Sequence, residues 1–482
     1  MPTPKHAFLA ALECPTKGWR AQNLTPATPA PGDQWRFYEG QEVQRRAREW
    51  LGPGRYLQRT PRQTAAEATA EAIADPATTL LFEATFEAHG AVARADALRR
   101  LGQGWELIEI KSGSNTESKK IKPEYIDDVG FTAAVLLAAN LPIHRVSLVM
   151  VNGDYTHGTG DNLLTTVDVT ADALERAATF GNILPELTDT LAGEEPAPTL
   201  CFACKNCEHW GVDCLGIGIP DPLFDIPRIS AQKFEELKPY ERISHLPPDT
   251  KLTDIQAMHV EVMRSNTPRI NPDGLALLDQ LRSPVHYLDF EAVQPAIPQF
   301  DGTRPYRKHP FQFSLHVRDG NGSERHHEYL APIDGDWRRE LTEELLRFLG
   351  DEGSIVVYSS YERQVLTQLA EWFPDLEAPL GAVIERLFDL EKVIKEGYIH
   401  PGFRGRSSIK KVLPVLAPDC SYDGMAVAGG EDAAAVFGFM WTGQYPAEDH
   451  ARHRAALLEY CKLDSLGMVR VHEALEGVRR RV

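Results

Sequence analysis

Residues 285–291 read Val285-His286-Tyr287-Leu288-Asp289-Phe290-Glu291. Side chains of an extended strand alternate between its two faces, so Asp289 and Glu291 share one face while Leu288 and Phe290 pack behind them. Working outward, the pattern predicts strands over 311–317, 324–331 and 354–358. Helices are expected near 336–349, over 362–371 and from about 447 to 476. This alternation is an α/β pattern. Glu362 follows the apolar strand Ile355-Val356-Val357-Tyr358 at the mouth of a helix. Tyr460 and Asp464 lie one turn apart on one face of the last helix. A chain with 69 acidic residues offers single D-x-E or Y-x3-D pairs by chance. The ordered set is more specific.

In that order, Asp289, Glu291, Glu362, Tyr460 and Asp464 resemble the DEDD exonuclease superfamily, in its Tyr-x3-Asp (DEDDy) branch. The resemblance implies an RNase H-like domain, a mixed sheet flanked by helices, with 3′–5′ exonuclease activity. Asp289, Glu291, Glu362 and Asp464 would hold Mg²⁺ or Mn²⁺, and Tyr460 would position the attacking water. Glu362 stands where this superfamily normally has Asp. The stretch 398–416, with Arg404, Arg406, Lys410 and Lys411, is strongly basic within an acidic protein. It is expected as a phosphate-contacting loop, against the plainer reading of a solvated one. Asp389 is a candidate outer acid. His286, His400 and His472 are expected to be structural, and Cys420 and Cys461 to be core or incidental.

A second acidic set lies upstream. Strands are expected over 80–86, 92–98, 105–111 and 144–151, with helices over 63–75, 127–140 and 171–192. In the strand 105–111, Glu109 and Lys111 share a face while Ile108 and Ile110 point the other way. The short turn Leu101-Gly102-Gln103-Gly104 would bring Asp96 alongside Glu109. Two carboxylates and an ammonium on one face suit a divalent ion with a cation beside it. A surface Glu–Lys pair is the bland alternative. Asp96 with Glu109-Ile110-Lys111, and Glu83 just upstream, resemble the PD-(D/E)xK nuclease superfamily. The resemblance makes Glu83, Asp96 and Glu109 metal ligands, with Glu67 or Glu71 as other sources of the first acid. RecB-type members carry Gln and Tyr on the helix after the lysine; here Thr132 stands near the Gln position.

Four of the seven cysteines, Cys201, Cys204, Cys207 and Cys214, fall close together at metal-ligand spacing. Zinc is one reading and an iron–sulfur cluster the other. With Cys14 in Glu13-Cys14-Pro15, the set is similar to that of CRISPR-associated RecB-like nucleases. There one N-terminal and three C-terminal cysteines clamp a [4Fe–4S] cluster. That implies Cys14, Cys207 and Cys214 with either Cys201 or Cys204.

The 482 residues are 43 % hydrophobic and 25 % charged, with a net charge of −18. This excludes disorder or coiled coil as the main state. No apolar run approaches a membrane span, and the apolar start at residues 7–12 lacks the marks of a signal peptide, so a cytoplasmic protein is expected. The expected division is 1–215, a partly helical connector 216–283, and 284–482. The whole order resembles an uncharacterised bacterial family that fuses a RecB-like nuclease to an RNase H-like exonuclease. The resemblance implies a nuclease acting on DNA rather than RNA, in repair or mobile-element defence, with a helicase or defence-system partner. The alternatives are a catalytically degenerate nucleic-acid-binding module and a zinc-stabilised regulator.

Overall fold

The computed structural model describes residues 1–57, 63–116, 119–160 and 162–481. The protein is a mixed α/β structure in two compact units. Unit 1 comprises Met1–Thr28, Arg36–Ile217 and Pro295–Arg307; unit 2 comprises Pro29–Trp35, Gly218–Gln294 and Lys308–Val482.

Unit 1 is built on a seven-stranded sheet: β1 (Thr3–Pro4), β2 (Arg55–Tyr56), β3 (Leu80–Ala88), β4 (Ala91–Leu101), β5 (Gly104–Asn115), β6 (Ile143–Asn152) and β7 (Leu164–Asp168). The order is β2-β3-β4-β5-β6-β7, with β1 pairing parallel to β4. Gly102, at φ 61°, takes the left-handed conformation that the tight β4–β5 turn needs. Leu107 belongs to the core beneath the helices α1 (Lys5–Glu13), α2 (Pro123–Ala138) and α3 (Thr170–Ala192), where Phe8, Phe131 and Phe180 pack together. Ile108 and Ile110 belong to the opposite core. Strand alternation therefore turns Glu109 towards the helices. The segment Pro295–Arg307 joins this unit through bonds such as Ala296 N–H to Glu39 Oε1 (2.8 Å) and His157 N–H to the Thr303 carbonyl (2.9 Å).

Unit 2 has a five-stranded sheet of β8 (Val285–Val293), β9 (His309–Arg318), β10 (Glu324–Leu330), β11 (Ser354–Val357) and β12 (Leu387–Asp389), in the order β10-β9-β8-β11-β12. Its β10–β9–β8 pairings are antiparallel and its β8–β11–β12 pairings parallel. Leu288 and Phe290 bury into one core with Leu345 and Leu366. Val285 and Tyr287 bury into another with Met468 and Val471 of α4 (His450–Arg479). Buried polar bonds lock α4 against β9. Gln312 donates to the Leu457 carbonyl (2.8 Å), and Ser465 Oγ meets both Ser314 Oγ (2.6 Å) and His316 Nδ1 (2.8 Å).

Three expectations change. The stretch 216–283, read as a connector, belongs to unit 2 from Gly218 onward, where Leu275 and Leu278 pack with Val285 and Tyr287. Residues 22–35, whose Pro, Ala and Thr content suggests an irregular loop, instead run into the helix Pro31–Leu51, where proline at the first position is preset for helical φ. Residues 409–416, read as basic loop, form the helix Ile409–Leu416, whose apolar side chains Val412 and Leu413 are fully buried.

Candidate functional site

In unit 2 the sheet and α4 bring acids together. Asp289 and Glu291 project from β8 on the face covered by α4, and Asp464 faces them. Ligand oxygens of the three lie within 4.8 Å of one another. Glu362 sits in the first turn of the helix Tyr361–Trp372, which follows β11. It is 3 % exposed, and its Oε2 has no hydrogen-bond partner among the described residues. Burial, reinforced by the neighbouring carboxylates, raises Asp289 and Glu291 well above the ordinary carboxylate range. Burial, with Asp389 and Asp464 adding repulsion, pushes Glu362 up to about 8. Burial also raises Asp464, against hydrogen bonds from Tyr422 and Tyr460 and the charge of Lys410. Buried carboxylates that repel one another and leave an oxygen unpaired are the donor set a divalent cation satisfies. The residues present fit Mg²⁺ or Mn²⁺.

Several groups around these acids gave little sign in the sequence. Tyr422 donates to Asp464 Oδ1. Cys461 Sγ lies 3.4 Å from Asp289 Oδ2, so this cysteine is part of the site's wall rather than incidental. Burial beside three carboxylates holds the Tyr460 hydroxyl far above its usual range, so it remains a donor. The helix Gly430–Trp441 starts against Glu291: a Cβ on Gly430 would stand 3.3 Å from Glu291 Oε2. Lys308 lies 4.1 Å from the centroid of the Tyr361 ring, and its charge acts on Glu362.

The basic residues divide. Lys410 and Lys411 are exposed on the helix Ile409–Leu416. Lys410 Nζ stands 5.8 and 5.7 Å from the ring centroids of Tyr422 and Tyr460 and donates to the Ala428 carbonyl (3.0 Å). Arg404 pairs with Asp225 at 2.8 Å. Arg406 and Lys411 add their charge to the same aspartate. Asp389 caps the helix Leu390–Gly397, accepting from Glu391 N–H (2.9 Å) and Ser359 N–H (3.0 Å). His472 meets Tyr287 Oη at 2.7 Å, and His400 caps a short turn by accepting from Gly402 N–H.

In unit 1, the β4–β5 register sets Ala97 opposite Ile108, which leaves Asp96 opposite Glu109. Asp96 Oδ2 accepts the Ile110 N–H at 2.8 Å. Glu109 Oε1 takes both Lys111 Nζ (3.2 Å) and Lys5 Nζ (2.6 Å). Asp128 Oδ2, on α2, also takes both lysines. Burial pushes Glu109 up to about 8, and it raises Asp96, even with two lysines nearby. Asp128 falls below its usual range because Lys5 and Lys111 outweigh its burial. Glu83, held at φ 62°, pairs with Arg94 (2.8 Å) and Arg48 (3.6 Å). Glu67 closes the capping box of the helix Ala65–Ala74 with Thr64, and Glu71 pairs with Gln63 and Arg55. Among the described residues, Glu109 Oε2 is buried without a hydrogen-bond partner, as Glu362 Oε2 is. Glu109 and Asp128 already carry lysine ammonium groups, however, and among the described residues three ligand atoms converge only in unit 2, so this donor set does not fit a divalent ion as it stands.

Cys14, Cys204, Cys207 and Cys214 line one cavity of unit 1. Cys201 Sγ is 3.7 Å from Cys204 Sγ and 3.7 Å from the Glu13 carbonyl. All seven cysteines are thiols. Burial, with Cys201 and Cys14 close by, pushes Cys204 up to about 12, and burial raises Cys207. Four sulfurs around one cavity fit a thiolate-bound metal or cluster, whose positive charge would reverse those shifts.

The fold and geometry thus define an α/β protein with a buried carboxylate centre in unit 2 and a cysteine-lined cavity in unit 1. Among known proteins, residues 286–408 match a domain of unknown function, DUF2779. That window contains Asp289, Glu291, Glu362, Arg404 and Arg406. An uncharacterised protein of Ureaplasma parvum serovar 3 is 26 % identical over 167 residues, covering 32 % of this chain and 24 % of the relative. The chain thus spans about a quarter of that relative's length. No solved structure matches. Among the described residues, no helix is long and apolar enough to cross a membrane.

Proposed function

We propose that this chain is a metal-dependent nuclease that hydrolyses phosphodiester bonds at the carboxylate centre of unit 2, acting as a 3′–5′ exonuclease with DNA favoured over RNA. The observation that carries the reading is the convergence of Asp289, Glu291 and Asp464 within 4.8 Å, from a strand and a helix far apart in sequence. Glu362 and Tyr460 complete the ordered set that resembles a DEDDy site in an RNase H-like domain. Asp289, Glu291, Glu362 and Asp464 would hold Mg²⁺ or Mn²⁺, which when bound supply an activated water and charge stabilisation. Tyr460, kept protonated, orients that water through its hydroxyl. Tyr422 keeps Asp464 in position. Lys410 supplies positive charge where a phosphate would approach.

Unit 1 is read as a RecB-like PD-(D/E)xK domain, with its cysteines holding a structural [4Fe–4S] cluster and zinc as the other occupant to test. A cytoplasmic role in DNA repair or mobile-element defence, beside a helicase or defence-system partner, follows from the same reading. The test is Mn²⁺-dependent degradation of 5′- and 3′-labelled single strands, DNA and RNA in parallel. A ladder from the 3′ end that Asp289→Ala/Asp464→Ala abolishes supports the reading. Intact substrates with binding retained would replace it by the binding-module alternative.

A further inference from the structure

We infer that Lys5 closes the acidic cluster of unit 1 to divalent ions, making it a lysine-neutralised site and leaving unit 2 as the metal centre. Only the last clause rests on the nuclease reading above. A divalent ion at Asp96, Glu109 and Asp128 would need oxygens from several of these carboxylates to converge on one point. Among the described residues such a convergence of three ligand atoms is found only at Asp289, Glu291 and Asp464. Here Glu109 Oε2 is buried without a hydrogen-bond partner among those residues, but one oxygen of each acid is already taken. Glu109 Oε1 receives Lys5 at 2.6 Å and Lys111 at 3.2 Å, Asp128 Oδ2 receives the same two ammonium groups, and Asp96 Oδ2 receives the Ile110 N–H. A single lysine beside acids would leave room for an ion. Two ammonium groups shared between the same carboxylates supply the charge the ion would bring, and would repel it at close range.

Lys5 is held there by the fold. It is the first residue of α1 and directly follows β1, whose residues Thr3 and Pro4 pair with Ala91 and Val92 of β4. The Thr3 N–H donates to the Gly90 carbonyl at 2.7 Å. An ammonium group has three N–H donors. Those of Lys5 have three acceptors in reach: Glu109, Asp128 and, at 3.4 Å, Thr132 Oγ1. Its side chain is one-quarter exposed, so an ion would have to displace a mostly buried, fully bonded group.

The test is Mn²⁺ binding, read by electron paramagnetic resonance of the unbound ion on the full chain. In the Asp289→Ala/Asp464→Ala background, unit 2 is emptied, and no Mn²⁺ should be taken up at millimolar concentration. Adding Lys5→Met should create one site per chain, at least about tenfold tighter, and Asp96→Asn should remove it. Uptake with Lys5 intact that Glu109→Gln abolishes would overturn the inference, as would a folded Lys5→Met chain that gains no site. If Lys5→Met does not fold, the comparison with and without Glu109→Gln still decides. Mn²⁺ uptake that survives both Asp289→Ala/Asp464→Ala and Glu109→Gln would count against the unit 2 reading alone.

Discussion

The Tyr422 hydroxyl donates to Oδ1 of Asp464, joining a loop residue to the acid that the last helix presents to Asp289 and Glu291. This bond stabilises the ionised form of a carboxylate that burial otherwise raises. Tyr422→Phe keeps the ring and removes the donor. A hydrogen bond to a charged group contributes about 1.5–3 kcal/mol, so Mn²⁺ affinity at neutral pH should fall about tenfold or more. The deficit should shrink at higher pH, where Asp464 ionises without help. Calorimetric Mn²⁺ titrations at two pH values check this; a deficit independent of pH would assign Tyr422 to packing alone.

The raised acids also set the pH dependence of stability. An acid whose folded pKa lies above its unfolded one favours the folded state when protonated, and that stabilisation is lost as pH rises through the folded value. Glu362 and Glu109 both reach about 8, and Glu39 about 7. Without divalent ions, the melting temperature should therefore fall between pH 5 and pH 8.5, by roughly 5 °C or more. Glu362→Gln should flatten part of that slope and leave the unit 1 part. Added Mn²⁺ should raise the melting point most at the alkaline end. Scanning fluorimetry across pH, with and without Mn²⁺, reads all three.

The basic residues of 404–411 should not behave alike. Arg404 is tied to Asp225, and a Cβ on the adjacent Gly405, at φ 69°, would run into the Asp225 backbone. Lys410 stands over Tyr422 and Tyr460. Lys410→Ala should weaken single-strand binding and reduce its salt dependence by about one phosphate contact. Arg404→Ala should instead lower the melting temperature and change that salt dependence little. Fluorescence anisotropy over a salt series, beside thermal melts, separates the two; equal salt slopes would return Lys410 to the solvated-surface reading.

Strand alternation and helical spacing carry local information, and they located the structure well where it is local. The expected strand over 105–111 lies within Gly104–Asn115, and the expected last helix from about 447 to 476 corresponds to His450–Arg479. The edge strand Leu164–Asp168 escaped notice because its side chains are only partly buried and its apolar alternation is weak. At the site, Asp289 with Glu291 and Tyr460 with Asp464 are visible as pairs because each lies on one element. Lys5, Asp128 and Tyr422 are not, because each reaches its partners through pairing or packing far away in sequence. Lys5 depends on the two-residue β1 strand finding β4, which no periodicity announces.

The cysteines give the last test, and it separates Cys201 from Cys204. The resemblance leaves either as the fourth ligand. The cavity is lined by Cys14, Cys204, Cys207 and Cys214, while Cys201 Sγ turns to the Glu13 carbonyl and to Cys204. Cys204 is also the more deeply buried of the two, with its thiol pushed up to about 12 by that burial, a shift that a bound cation would reverse. Anaerobically purified wild type should therefore absorb near 400 nm if it holds iron and sulfide, and lack that band if it holds zinc. Cys204→Ser should lose most of the metal and melt lower, because the ligands join Cys14 at the end of α1 to the segment 201–214. Cys201→Ser should keep its metal and its melting point. Metal analysis and thermal melts of both variants read the outcome. Loss from Cys201→Ser with retention by Cys204→Ser would exchange the two roles, and retention by both would show that neither sulfur is needed.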